Sequence, residues 1–312
     1  MLVAGCAGFI GYHLAERLLN DGHAVVGVDN FASGNRRNIE DLQQHASFSF
    51  VHADICDVAA PGGALDVVYD LACPASPLDF DRKKLEILAT CSRGVWNLLD
   101  IARTKSARFL QTSTSEVYGD PKEHPQREDY WGNVNPVGPR SCYDEGKRFA
   151  EALLVAYAQT HGVPVRIARI FNTYGPRMRA DDGRALPNFI SQALRNEPIT
   201  VHGDGSQTRS FCYVTDMVEG LIRLARSEET RPVNLGNPDE CTVLEVAREI
   251  IAMTNSRSEI SFLPRPGDDP SLRRPDTRRA KESLQWVAAV DRATGLQRTI
   301  DWFRDGLNNT SA

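Results

Sequence analysis

The chain has 312 residues, 41% of them hydrophobic and 25% charged, the usage of an ordinary globular protein. That composition excludes fibrous repeats and general disorder, and the length suits one large α/β unit or two small domains. With 36 Lys and Arg against 41 Asp and Glu the net charge is −5, so no nucleic-acid or anionic-membrane role is expected. The seven cysteines are scattered and include no CxxC pair, so neither a disulfide framework nor a metal site is expected. No apolar run approaches the ~20 residues of a membrane span. The first residues lack a basic segment of the signal-peptide kind. The expectation is a cytoplasmic protein in a reducing compartment.

In chain order, Met1–Ala4 reads as a short apolar strand and Phe9–Asn20 as a helix with Ile10, Leu14 and Leu18 on one face. Ala24–Val28 reads as a β-branched strand and Asn35–His45 as a helix. Phe48–Val51, Val67–Ala72 and Arg108–Thr112 read as further strands, with one long helix around Lys83–Arg103. Tyr143–His161 is an amphipathic helix pattern, followed by a strand at Val165–Arg169. This alternation predicts an α/β fold, a Rossmann-like doubly wound parallel sheet with helices on both faces. From Phe171 onward, Pro and Gly punctuate short elements, which predicts a smaller C-terminal substrate-binding part. The expected division is 1–170 and 171–312. Thr215–Arg226 and Pro232–Leu235, within a return segment near 211–236, are expected to rejoin the first unit.

Gly5-Cys6-Ala7-Gly8-Phe9-Ile10-Gly11 follows the first strand and opens the first helix. The GxxGxxG spacing gives a tight turn at Gly5, backbone approach to a pyrophosphate at Gly8 and close packing at Gly11, with a helix N-terminus facing the negative charge. The next strand ends at Asp29, about 20 residues further on, where a carboxylate accepts hydrogen bonds from an adenosine ribose. That context favours dinucleotide binding over a plain strand–helix turn. Asp29 would repel a 2′-phosphate, which favours NAD+ over NADP+. Arg36 and Arg37 pull mildly the other way, or are solvated helix charges. Asp54 follows another strand and either contacts adenine or caps a loop.

Thr112-Ser113-Thr114-Ser115-Glu116-Val117-Tyr118-Gly119 lies at the C-terminal end of a predicted buried strand, the edge where doubly wound sheets hold their chemistry. Downstream, Tyr143-Asp144-Glu145-Gly146-Lys147 spells YxxxK, which puts Tyr143 and Lys147 on one helix face. An ammonium beside a phenol favours the phenolate and lowers the Tyr pKa, giving a general base for a hydroxyl proton. Alone, the pair is also what a surface helix produces. With the glycine loop and the Ser/Thr-rich strand end it points to hydride-transfer chemistry.

These motifs, together with STSEVYGDP (Ser113–Pro121), EDYWGNVNPVGPRSCYDEGK (Glu128–Lys147) and RIFNTYGPRM (Arg169–Met178), resemble the extended short-chain dehydrogenase/reductases of the NAD-dependent epimerase/dehydratase family. DDGR (Asp181–Arg184), SQTRSF (Ser206–Phe211), VNLGNP (Val233–Pro238) and DDPSLRRPD (Asp268–Asp276) extend the likeness over essentially the whole chain. Within that group the longer stretches are most similar to the UDP-glucuronate decarboxylases, which form UDP-xylose. The resemblance implies that Gly5, Gly8, Phe9, Ile10, Gly11 and Asp29 hold NAD+. It adds Asn30, Asp54, Ile55 and Leu71, with Tyr143 and Lys147, to the same cofactor. Thr114 matches the residue that holds the reacting hydroxyl, Tyr143 the base and Lys147 its partner. Asn172, Asn188 and Arg209 match positions that grip a UDP-sugar substrate, and Arg273 an arginine near the sugar. The likeness also implies a homodimer through the two long helices, with Leu85, Leu88, Trp96, Leu99, Phe149, Leu153, Leu154 and Tyr157 as the expected interface residues.

Dehydratases of the group carry Thr-Asp-Glu where this chain has Thr114-Ser115-Glu116. A serine hydroxyl is too weak an acid to expel the C6 hydroxyl, so dehydration is disfavoured. Decarboxylation needs little beyond oxidation at C4, because a 4-ketone turns a C5 carboxylate into a β-keto acid. Ser115, Glu116 and Arg273 are therefore the expected companions of Thr114, Tyr143 and Lys147. Two departures stand out. Cys6 occupies a usual glycine position and is expected to crowd the pyrophosphate turn. Ile87-Leu88-Ala89-Thr90-Cys91 replaces a TLKTN-like segment that contacts cofactor and substrate in relatives. The reading is NAD-dependent decarboxylation of UDP-glucuronate to UDP-xylose. The alternatives are a C4-epimerase of a UDP-hexuronate or related sugar nucleotide, and a catalytically weak NAD-binding paralogue.

Overall fold

The computed structural model describes residues 1–310. Its centre is a parallel sheet of seven strands. Six are β1 (Leu2–Ala4), β2 (Val25–Asp29), β3 (Phe48–His52), β4 (Val67–Asp70), β5 (Arg108–Thr114) and β6 (Val165–Ile170). The seventh is Val233–Leu235, and the order is Val233–Leu235, β6, β5, β4, β1, β2, β3. The order reverses between β1 and β4, the switch point where doubly wound folds bind their ligands. The predicted return of Pro232–Leu235 to the main sheet is observed, in register Val233 to Ala168.

Strand periodicity explains how the sheet carries two cores. In β1, Val3 packs into one cluster while Leu2 and Ala4 enter the other. In the neighbours, Tyr69, Leu110 and Ala168 share the first cluster, and Val68, Phe109 and Ile167 the second. Helices Phe9–Asn20 and Val214–Arg226 cover the first face, Val95–Thr104 and Ser141–His161 the second. The first cluster continues without a break through Phe189, Ile190 and Val246 to Phe303. The C-terminal part therefore shares a core with the sheet. Its small sheets pair Ile199–His202 with Ile260–Leu263 and Thr208–Ser210 with Glu240–Thr242.

Most element boundaries agree with the sequence reading to within a few residues. The long helix expected at Lys83–Arg103 differs. It runs as Lys84–Ala89, a π-turn at Thr90–Gly94, and Val95–Thr104. At its far end Gly94 lies against Ile55, whose Cδ1 would be 2.5 Å from a Cβ there. The π-turn carries Cys91 inward, 1% exposed.

Cys6 does not crowd the pyrophosphate turn as expected. Its side chain is fully buried and lies over Gly27 of β2, where an added Cβ would stand 2.6 Å from Sγ and 2.7 Å from Cζ of Phe48. The thiol fills space that Gly27 leaves open, so the unusual Cys6 is a core residue. Overpacking a full core costs about 1–3 kcal/mol. We expect Gly27→Ala to destabilise by that amount and Cys6→Gly to recover part of it in the double variant, with Phe48 retaining the rest. Denaturant unfolding of the four proteins measures the coupling.

Candidate active site

A cavity of about 1000 Å³ opens along the C-terminal ends of the strands, between the sheet and the C-terminal part. The glycine loop forms one end. Gly5 has φ +79, and a Cβ there would meet Leu71 O at 2.7 Å. A Cβ on Gly11 would lie 2.0 Å from Gly5 O, so only glycine lets the helix start this close to the strand. Gly8 is less confined, its nearest atom being 3.2 Å away. Its absent side chain leaves the helix N-terminus open to the cavity, as a dinucleotide pyrophosphate requires.

Asp29 is 8% exposed and accepts Ala7 N–H at 3.0 Å and Phe31 N–H at 2.7 Å. Burial pushes its pKa up, and these amides oppose the rise. Each oxygen keeps a free lone pair, which suits ribose hydroxyls. Asp54 accepts Cys56 N–H at 2.8 Å and the Asn30 amide at 2.9 Å. Burial opposes its ionisation, but these donors and Arg93 leave its pKa below the ordinary value. Phe9, Ile10, Asn30, Ile55 and Leu71 line the same end. The cradle therefore fits a dinucleotide, with a carboxylate at the place a 2′-phosphate would occupy.

The catalytic end is built where β5 meets the Ser141–His161 helix. Lys147, 3% exposed, donates to Thr112 O at 2.9 Å. Tyr143 is buried, faces Thr114 and stacks on Phe80 with ring centroids 5.0 Å apart. Burial pushes the Tyr143 phenol up to about 12, and Lys147 and Thr114 only partly counter it. The expected lowering by Lys147 is present but outweighed by desolvation. Burial also disfavours the Lys147 ammonium, and the ionisable Cys73, Cys91, Tyr143 and Asp70 more than offset this and hold its pKa above the usual value.

Glu116 follows at the strand end. Burial would raise its pKa, but Arg273, Arg140 and Arg209 bring it down to about 2. Arg140 Nη2 lies 2.8 Å and Arg273 Nη2 3.3 Å from Glu116 Oε2. The structure brings every sequence-singled residue to the cavity wall except Arg273. Arg273 is 1% exposed and sits behind Glu116, donating to Ser115 O and, at 2.9 Å, to Gly119 O. It clamps the turn after β5 through Nη1 and Nη2, while its buried Nε has no partner. Asn172 and Asn188 line the far wall. Arg209 lines it too, held by both oxygens of Asp269 at 3.0 Å.

Sequence reasoning missed several wall residues. Arg140 faces the cavity beside Glu116, and its buried Nε has no partner. It lies within the GNVNPVGPR stretch that carries the family likeness, so its signal was visible. Arg184 lies in the DDGR stretch that also carries the likeness, whereas Phe80 and Cys73 gave no signal, because a short helix and a loop bring them in. Among the described residues no group of His, Cys, Asp and Glu would hold a metal ion, and no helix is long and apolar enough to cross a membrane.

Asp144 lies next to the base, buried, with Oδ1 unpartnered. Burial and the Glu116 charge raise its pKa from 3.8 to about 7. Between those values the folded chain holds a proton that the unfolded chain has lost, so stability falls as pH rises through this window. Asp144→Asn removes the titration. We expect the melting temperature of the parent to fall, relative to this variant, from pH 5 to pH 8; parallel profiles would contradict it.

Comparison with known proteins agrees with this geometry. Residues 1–236 match the model of the NAD dependent epimerase/dehydratase family. UDP-glucuronic acid decarboxylase 1 of Danio rerio is 50% identical over 309 residues, covering 99% of this chain and 73% of that protein. UDP-glucuronic acid decarboxylase 3 of Arabidopsis thaliana is 48% identical, covering 99% and 90%. Among solved structures, UDP-glucuronic acid 4-epimerase from Bacillus cereus, in complex with UDP-glucuronic acid and NAD, superposes with a TM-score of 0.88. It is 28% identical, with 97% of this chain and 98% of that one covered. With a glycine cradle and ribose carboxylate that fit NAD, a Tyr–Lys pair at the strand end and this likeness across its length, the chain belongs to the NAD-dependent epimerase/dehydratase family.

Proposed function

We propose that the protein decarboxylates UDP-glucuronate to UDP-xylose through a 4-keto intermediate, with NAD+ as a recycled cofactor. The observation that carries this is identity of about half of all positions, over both parts of the chain, with decarboxylases from a fish and a plant. We divide the work between residues 1–170 with the return segment near 211–236, which hold the cofactor, and residues 171–312, which hold the sugar nucleotide.

Gly5, Gly8, Gly11 and Asp29 would hold NAD+, which when bound would supply a reversible hydride acceptor for C4 of the sugar. Tyr143 takes the C4 hydroxyl proton, and Thr114 orients that hydroxyl. Lys147 stabilises the phenolate, which burial alone disfavours. With a ketone at C4, the bond from C5 to its carboxylate breaks, CO2 leaves and the electron pair becomes an enolate. Tyr143, by then protonated, and Thr114 donate to the enolate oxygen; such preorganised donors are the largest catalytic term in many enzymes. Glu116, ionised and anchored by two arginines, positions a water that protonates C5. Ser115 lines the wall beside it. Arg140 lines the cavity beside Glu116 and is our candidate for the substrate carboxylate; Arg273 supports the site from behind.

We also propose a homodimer in a reducing, cytoplasmic setting. Of the apolar residues expected at the interface, Leu85, Leu88, Trp96 and Phe149 are 40–81% exposed. Leu99, Leu153, Leu154 and Tyr157 belong to the core instead. An exposed set of that size on two adjacent helices suits a four-helix contact with a second copy.

Incubation with UDP-glucuronate is expected to release CO2 and UDP-xylose; UDP-galacturonate without CO2 would show an epimerase instead. Tyr143→Phe keeps the ring on Phe80, so we expect a loss of about 10²–10⁴-fold in turnover with NAD still bound. Arg140→Ala should raise KM for UDP-glucuronate well above any change in NAD affinity, as measured by titration calorimetry. Light scattering at micromolar concentration should report a dimer, and Trp96→Glu should shift it toward monomer.

A further inference from the structure

We propose that Cys73 and Cys91 are a hydroperoxide-reactive pair that closes into a reversible disulfide in the wall of the active site. Their Sγ atoms are 3.6 Å apart. Cys73 follows the end of β4 and lines the cavity, and Cys91 lies buried in the π-turn directly behind it. The other five cysteines are placed differently. Cys6 lies over Gly27, and Cys56, Cys142, Cys212 and Cys241 each direct their sulfur at a backbone carbonyl, whereas Cys73 meets both Pro74 O at 3.5 Å and the sulfur of Cys91.

A disulfide needs about 2.05 Å between sulfurs, so the pair must close by roughly 1.5 Å. Rotation of two side chains shares that motion, and the π-turn is a weakly bonded stretch of helix that yields more readily than regular α-helix. Chemistry favours the step as well as geometry. The two thiols share one hydrogen bond, which draws the Cys91 thiol below its ordinary range and holds that of Cys73 above it. The Lys147 ammonium favours one thiolate in the pair.

The proton passes between the sulfurs, and the reaction begins at the member a small oxidant can reach. The Cys73 thiolate attacks one peroxide oxygen, the O–O bond breaks and hydroxide leaves, giving a sulfenic acid. The Cys91 sulfur then attacks that sulfur while its proton goes to the departing oxygen, which leaves as water. Two thiols are oxidised by two electrons and one peroxide is reduced to two waters; a thiol reductant reverses the bond.

The position makes the bond consequential. A Cβ on Gly146 would lie 3.1 Å from Cys91 Cβ and 3.3 Å from its Sγ. Cys91 thus packs against the turn of helix between Tyr143 and Lys147, and drawing it toward the cavity wall displaces that turn. Displacing reacting groups by about 1 Å costs on the order of 10²-fold in rate. We therefore expect the oxidised protein to lose at least about tenfold in turnover.

The test exposes the full-length protein to hydrogen peroxide, blocks remaining thiols under denaturing conditions and maps the peptides by mass. A Cys73–Cys91 linked peptide, two hydrogens lighter than its parts and abolished by dithiothreitol, is expected. Cys73→Ser and Cys91→Ser should each lack it. Each should also resist peroxide, relative to its own untreated activity. Sulfinic or sulfonic acid at Cys73 with Cys91 still alkylated would overturn the pair, as would peroxide sensitivity in both serine variants equal to that of the parent. The peptide readout is independent of the reaction assigned above, whereas the activity readout rests on it. A linked peptide with unchanged turnover would leave the disulfide and remove its effect on catalysis.

Discussion

One contact organises the molecule: the dry C-terminal end of β5 against one face of the Ser141–His161 helix. A parallel strand buried on both sides ends in carbonyls and hydroxyls that water does not reach, and buried polar groups must be paired. The helix and the residue before it supply the partners in sequence. Arg140 pairs with Glu116, Lys147 with Thr112 O and Glu151 with Ser113, and Tyr143 faces Thr114. Intervals of three and four along a helix make one stripe. The same stripe satisfies the strand end and presents a base, its cation and an anchored carboxylate to the cavity.

Burial sets the chemistry of that stripe in opposite directions. Tyr143 is pushed up because few charges offset its desolvation. Glu116 is largely buried as well, yet it stays ionised because arginines from the helix start and from the segment after Pro270 converge on it. Asp144, next in sequence to the base, lacks a cation of its own and is pushed toward neutrality. Three acids within one small region thus differ by what faces them, and the difference separates a proton acceptor, a fixed anion and a carboxyl that titrates near neutral pH.

The two departures from the family pattern have different physical meanings. Cys6 is matched by Gly27 on the neighbouring strand, so it repacks the core and leaves the pyrophosphate turn open. Cys91 meets Cys73 at the cavity wall, so it adds a reactive group where chemistry takes place. Neither partner is near its cysteine in sequence.

The sequence by itself determined what is local. The glycine turn, the Tyr–Lys spacing, the strand that ends in Asp29 and the alternation of strands and helices each depend on backbone geometry over a few residues. They placed the sheet, the cofactor cradle and the catalytic helix. The tertiary structure decided which way long side chains turn and what they meet. Arg273 reads from sequence as a residue beside the sugar, yet it lies buried behind the wall, donating to the Ser115 and Gly119 carbonyls, while Arg140 takes the cavity face. The π-turn that buries Cys91 lies inside a stretch whose periodicity reads as plain helix. Such outcomes depend on packing between elements far apart in the chain, and no pattern within a single segment records which neighbour a side chain will face.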